Sequence, residues 1–348
     1  MENIKNILVR VPNWIGDAVF CEPSIKSIKN NFTHSNITIL ARPWVAPLFL
    51  NNTSVSGCIE YDPEGIHRGI AGRIRLIKTL RKKQYDLAIL FQNAFDAAFL
   101  TFIARIPERW GYSTDGRGFL LTKSVRVTGD IKTSHEVFYY KNLLKQIGLN
   151  VDIDLKPKLY ISDIENEFAE RFLMENGLTS ARPITGINPG ASYGKAKRWL
   201  SERFAGVAGR LMNEYRAQII IFGSKGDAVE CREVAEGLKG DLINLCGRTN
   251  LRELISLIKR CSLFITNDSG PMHISASLGV PTVAVFGSTD PRLTAPLGEN
   301  VSVIKKDMEC SPCFERECRY GHYECLKMVT VDDVLAASVR FLRAGVNG

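Results

Sequence analysis

Short apolar runs alternate with longer amphipathic stretches along almost the whole chain. In the first half, β-branched or continuous apolar runs at residues 7–11, 36–40, 57–61, 86–91 and 108–112 predict strands. Helical spacing falls between them at 17–29, 69–83, 97–106 and 135–147, the last ending at Gly148. The 69–83 stretch places Ile70, Ile74 and Ile77 on one face, with Leu76 and Leu80 beside them. The rhythm then repeats. Strands are expected at 184–187, 218–222, 242–245, 263–266 and 282–286, and helices at 163–176, 202–213, 228–238, 251–261, 272–278 and 332–344. Such alternation implies an α/β protein with parallel sheets covered on both faces. Two sets imply two doubly wound domains. Polar residues and Pro157 break the pattern at 152–159, which divides the chain into 1–155, 156–330 and a terminal helix at 331–348 that could pack back on the first domain.

Ligands of open α/β sheets bind beyond the carboxyl ends of strands, so the loops there were read for chemistry. The first, Pro12-Asn13-Trp14-Ile15-Gly16-Asp17, carries one glycine and is no dinucleotide fingerprint. Asp17 falls in the first turn of the next helix, where the macrodipole favours an ionised carboxylate able to accept a proton; a helix cap explains it as well. The second loop, Asn188 to Trp199, joins small residues (Gly190, Ala191, Ser192, Gly194) to three cations, Lys195, Lys197 and Arg198. It suits a diphosphate, or is simply a solvated basic turn. The third, Thr266-Asn267-Asp268-Ser269-Gly270-Pro271-Met272-His273, opens a helix. Pro271 fits its first position, Ser269 or Gly270 its cap, and the free N–H groups would face an anion. Asp268 could accept from sugar hydroxyls, and His273 is either part of this turn or a structural histidine. Asp227, after the strand at 218–222, could bond a ribose or cap the next helix.

Charge and cysteine usage refine this picture. The net charge is +8, but residues 1–150 hold 20 Lys and Arg against 12 Asp and Glu, while residues 151–348 hold 25 of each. A basic balance suggests nucleic acid; one basic and one neutral half suggest two separate tasks. Residues 68–83 contain seven cations and no acid, a helix face suited to an anionic membrane or simply to water. No apolar run reaches the length of a membrane span, and the start reads as a strand, so a cytoplasmic protein is expected. Four of the nine cysteines form the series Cys310-x2-Cys313-x4-Cys318-x6-Cys325, with His322 inside it. A zinc site, a labile disulfide and free thiols all fit, and a bound metal is not the favoured reading.

Together Pro12-Asn13-Trp14-Ile15-Gly16-Asp17-Ala18, Asn188-Pro189-Gly190-Ala191 with Ala196-Lys197-Arg198-Trp199, and Asn267-Asp268-Ser269-Gly270-Pro271-Met272-His273 resemble the ADP-heptose:lipopolysaccharide heptosyltransferases of glycosyltransferase family 9. The resemblance covers nearly the whole chain. It implies a GT-B fold, two Rossmann-like domains facing across a cleft, with the acceptor on the first and ADP-heptose on the second. It implies an inverting transfer of L-glycero-D-manno-heptose without cofactor or metal. Among members, the type that extends the heptose of the inner core is expected; types using another core acceptor, and a non-catalytic anionic glycolipid-binding protein, are the alternatives. Asp17 matches the family's catalytic base and Lys197 the lysine that neutralises the leaving diphosphate. Asp268 matches the carboxylate that holds the donor heptose. Ser269, Gly270, Pro271 and His273 match the diphosphate turn, with Gly190, Ser192 and, less securely, Asp227 also on the donor. The implied partners are ADP-heptose and a lipid A–Kdo–heptose acceptor, met by peripheral contact on the cytoplasmic face of an anionic inner membrane, and no nucleic acid.

Overall fold

The structure, a computed structural model, describes residues 4–344. The chain divides into two compact units, Met1–Tyr160 and Ile161–Gly348.

The first unit runs β1 (Asn6–Arg10), α1 (Ile15–Phe20), α2 (Glu22–Asn31), β2 (Asn36–Ala41), β3 (Gly57–Glu60), α3 (Gly69–Lys82), β4 (Leu87–Leu90), α4 (Phe95–Ile103), β5 (Glu108–Tyr112), β6 (Lys123–Val125), α5 (Gly129–Lys132) and α6 (Glu136–Gln146). Its six parallel strands lie in the order β3-β2-β1-β4-β5-β6. β1 and β4 are central and buried, which is why they read as unbroken apolar runs. The helix expected at 17–29 is two helices meeting at Cys21. Pro23 causes the break, because its ring would meet the carbonyl four residues back in a continuous helix.

Helix α3 is rolled relative to its expected face. Gly72, Leu76, Ile77 and Leu80 are buried, whereas Ile70 and Ile74 are 79% and 46% exposed. Gly72 sets the roll: a Cβ there would lie 2.3 Å from the His67 carbonyl carbon. Residues 72, 76 and 80, four apart, therefore form the inward ridge. β6 has three residues, two of them exposed, and is too short to leave a periodic signal.

The second unit runs α7 (Asp163–Glu175), β7 (Ile184–Asn188), α8 (Ser201–Tyr215), β8 (Gln218–Ile221), α9 (Ala228–Glu236), β9 (Leu242–Asn244), α10 (Leu251–Lys259), β10 (Leu263–Asn267), α11 (Gly270–Ser277), β11 (Thr282–Val285), α12 (Pro291–Thr294), β12 (Val301–Ile304), α13 (Glu324–Lys327) and α14 (Val331–Ala344). The parallel order β12-β11-β10-β7-β8-β9 repeats that of the first sheet. Its core gathers Phe204, Leu211, Ile219, Ile265 and Val283 around the buried indole of Trp199. The terminal helix does not stand apart. Val334, Leu335, Ala337 and Leu342 of α14 belong to that core, and α14 packs on α8, β10 and β11 of its own unit. Residues 345–348 of the expected terminal segment lie outside the described residues. Among the described residues, no helix is long and apolar enough to cross a membrane.

Candidate active site

In each sheet the chain starts at a central strand and later returns to its other side, between β1 and β4 and between β7 and β10. Loops at the carboxyl ends of such strand pairs diverge and leave room for a ligand. The three sequence motifs occupy these places.

In the first unit, Asn13 fixes the loop after β1. Arg10 Nη2 donates to Asn13 Oδ1 (2.6 Å), and Trp44 Nε1 donates to the Asn13 carbonyl (2.9 Å). Arg10 is itself buried and donates to the Val11 and Leu40 carbonyls (2.5 and 3.3 Å). Burial, and then the neighbouring Arg42, lower its pKa to about 10. Asp17 lies in the first turn of α1, as expected. The cap position is Trp14, with no capping side chain, so Asp17 is not the cap. Its charge is felt by Glu136 at the start of α6, whose pKa is raised to about 7 by burial and then by Asp17. Burial and Asp17 also push up the Cys21 thiol. Helices α1 and α6 pack together here, with the Phe20 and His135 rings edge-on at 4.8 Å. No sequence motif pointed to Glu136. The only sign was an acidic residue opening a helix whose next four residues are apolar or aromatic.

The second unit brings two motifs into contact. Lys197 Nζ lies 2.6 Å from Asp268 Oδ2, and the Asp268 side chain is only 3% exposed. Thr289 Oγ1 donates to the same oxygen (2.5 Å). Asn267 Oδ1 accepts from the Trp199 amide (2.9 Å), and Asn267 Nδ2 donates to the Pro189 carbonyl (2.6 Å). Asn188 Nδ2 reaches the Gly190 carbonyl (3.1 Å) and Ser269 Oγ (3.3 Å). The two loops are thus stitched together by amide side chains at the ends of β7 and β10. Lys197 also sits over the Tyr193 ring at 4.7 Å, with Arg316 at 5.2 Å from the same ring. Asn188 and Asn267 lie in the sequence motifs without an assigned role there, and Thr289 and Tyr193 were not singled out. Thr289 could have been found, because it follows β11, the parallel neighbour of β10.

Ser269 is the cap residue of α11, with extended backbone at φ −153°, and Gly270 is the first helical residue. Pro271 is therefore second in the helix rather than first. His273 lies in the opening turn and is 6% exposed. Ser192 is exposed on the loop above. Gly190 has no room for a side chain, since a Cβ would fall 2.1 Å from Asp227 Cγ. Asp227 itself is enclosed. Ser224 N and Oγ donate to its Oδ2 (2.9 and 2.6 Å), Arg198 Nη2 stands 3.7 Å from its Oδ1, and the residue is 6% exposed. The carboxylate makes no side-chain capping bond to α9; it closes a box on Ser224 in the turn before it.

A buried carboxylate, a lysine and a helix N-terminus converge at the switch point of one of two doubly wound units. This architecture is that of a GT-B glycosyltransferase. The chain belongs to glycosyltransferase family 9 (heptosyltransferase), whose sequence profile matches residues 73–324. It is 32% identical to lipooligosaccharide heptosyltransferase 2 of Haemophilus influenzae over 86% of this chain and 88% of that protein. It is 26% identical to lipopolysaccharide heptosyltransferase 3 of Escherichia coli over 94% of this chain and 95% of the other. The solved structure of E. coli ADP-heptose lipopolysaccharide heptosyltransferase II superposes with a TM-score of 0.83 at 28% identity, over 98% of this chain and 99% of the other.

Proposed function

We propose that this enzyme transfers heptose from ADP-heptose to the heptose of a lipopolysaccharide inner core, the work of a heptosyltransferase II. The carrying observation is the greater identity to a type 2 relative than to the type 3 relative over nearly the same span. The Lys197–Asp268 pair supports the donor side of the reading.

In this reading Asp17 takes the proton of the acceptor hydroxyl as that oxygen attacks the anomeric carbon. The bond from that carbon to the diphosphate oxygen breaks, and ADP leaves with the electron pair. Lys197 and the N–H groups of Gly270 and His273 at the start of α11 offset the charge that develops there. Lys197 is paired with Asp268. A diphosphate would draw the ammonium toward itself and free Asp268 to accept from the donor's hydroxyls. Gly190 and Ser192 line the approach to the diphosphate, and Asp227 holds that loop from beneath. The chain's own cations and helix terminus supply the charge stabilisation that this donor requires.

The acceptor is an anionic glycolipid, and the first unit carries the surface for it. On α3 the cations of residues 68–83 surround exposed Ile70 and Ile74. On α4 exposed Phe95 and Phe99 stack at 6.0 Å, with Phe119 beside them at 6.3 Å from Phe95. Apolar side chains ringed by cations suit peripheral contact with an anionic bilayer, here the cytoplasmic face of the inner membrane.

The reading is tested by turnover of ADP-heptose against a panel of truncated core acceptors. Transfer to the acceptor ending in one heptose, and not to the heptose-free one, is expected. Preference for the heptose-free acceptor would reassign the enzyme to the first heptose addition.

A further inference from the structure

Residues 305–323, between β12 and α13, contain no helix or strand beyond one bridge between Met308 and Ser311. So long an irregular segment in a compact unit needs its own source of cohesion. It has no apolar core to supply it, since Phe314 and Tyr320 are 48% and 64% exposed. What fills its centre is sulfur. Cys310, Cys313 and Cys318, with Cys325 from α13, line a single cavity of about 20 Å³. All four are free thiols. His322 Nδ1 is engaged by the Glu324 amide (3.0 Å). By contrast Cys21 and Cys261 are dispersed and buried in the two units, and Cys231 is buried with Cys246 as its neighbour.

A cavity of that volume takes one atom-sized guest. Four sulfurs around it, two of them on a C-x2-C hook, are the donor set of a tetrahedral zinc or iron centre. The segment also grips the donor-side loops. The Cys313 and Phe314 amides donate to the Ser288 carbonyl (3.0 and 2.7 Å), the Ala196 amide donates to the Arg316 carbonyl (2.9 Å), and Tyr193 Oη donates to the Phe314 carbonyl (2.6 Å). Ala196 and Ser288 each directly precede a residue that bonds Asp268, namely Lys197 and Thr289.

We propose that Cys310, Cys313, Cys318 and Cys325 together bind one thiophilic ion, zinc or iron, which fastens the 305–325 segment behind the Lys197 and Thr289 loops. Among the described residues no three ligating side chains already stand in a coordination sphere. Protonated thiols keep van der Waals distance from one another. On binding they release their protons to solvent and close on the ion as thiolates, and a segment without regular elements offers little resistance to that contraction.

The experiment is elemental analysis of the purified full chain by plasma mass spectrometry, followed by chelation and titration with Co²⁺. About one zinc or iron per chain is expected. Co²⁺ should give the intense near-ultraviolet absorption of thiolate-to-cobalt charge transfer. Cys318→Ser, at the more exposed position, should lose the metal and the absorption; Cys246→Ser, outside the cluster, should keep both. A chain without stoichiometric metal that takes up Co²⁺ without the charge-transfer band overturns the proposal, as do disulfides among these cysteines in the native protein. None of these readouts depends on heptose transfer, so failure here is distinct from failure of the functional reading.

Discussion

Lys197 is a long cation held at 2.6 Å on a carboxylate that is almost fully buried. Replacing it with alanine removes the charge proposed to meet the diphosphate and leaves Asp268 with the Thr289 hydroxyl as its side-chain partner among the described residues. A buried charge stripped of its partner costs about 3–5 kcal/mol. Lys197→Ala should therefore weaken ADP binding and transfer together, as calorimetry and steady-state turnover would show, and should lower the melting temperature. Unchanged ADP affinity would remove the lysine from the donor site. Glu136 gives a second residue-scale prediction. Its pKa is about 7 in the fold and near 4.5 unfolded, so the folded state binds its proton more tightly. The stability this contributes is complete below about pH 4.5 and is lost as pH rises through about 7. Glu136→Gln keeps the shape without the charge. Thermal melts should show the variant gaining on the parent between pH 5 and 8; a constant difference across that range would contradict the account.

Gly190 and α3 show how single positions set the behaviour of whole elements. Gly190→Ala forces a methyl group onto the Asp227 carboxylate, and overpacking of this kind costs about 1–3 kcal/mol. Denaturant unfolding should show that loss, with donor affinity falling as the loop moves; wild-type stability would mean that the loop yields freely. On α3, Ile70→Asp with Ile74→Asp alters only exposed positions. The pair should leave the melting temperature unchanged and reduce binding to vesicles containing anionic lipid severalfold. Equal vesicle binding would place the membrane contact elsewhere. The same helix marks the limit of what periodicity reveals. Its existence is plain from the sequence, but the face that turns inward is not, because the sequence does not show that Gly72 abuts the His67 backbone. The break at Cys21 was legible in principle, through Pro23. The edge strands β6 and β12 were not, because short, partly exposed strands lack a continuous apolar run. Motif spacing placed Asp268 and Lys197 near strand ends, but only the parallel pairing of β10 and β11 shows Thr289 reaching Asp268.

At the scale of the molecule, two sheets share one strand order but differ in charge, and the excess of +8 lies within the first 150 residues. A basic protein need not meet nucleic acid when the cations of α3 flank exposed Ile70 and Ile74 and the family is a heptosyltransferase one. In the proposed reaction the neutral second unit carries the donor side, with a lysine, a carboxylate and a helix terminus, and the first supplies the base. The central claim is that Asp17 is that base in a heptose transfer. It is tested most directly by comparing the parent chain with Asp17→Asn, using ADP-heptose and an acceptor ending in one heptose, with the product weighed by mass spectrometry. The parent should add one heptose per acceptor. The variant should bind ADP-heptose with unchanged affinity and transfer about 10²–10⁴-fold more slowly. Turnover of the variant within a few-fold of the parent would contradict the account.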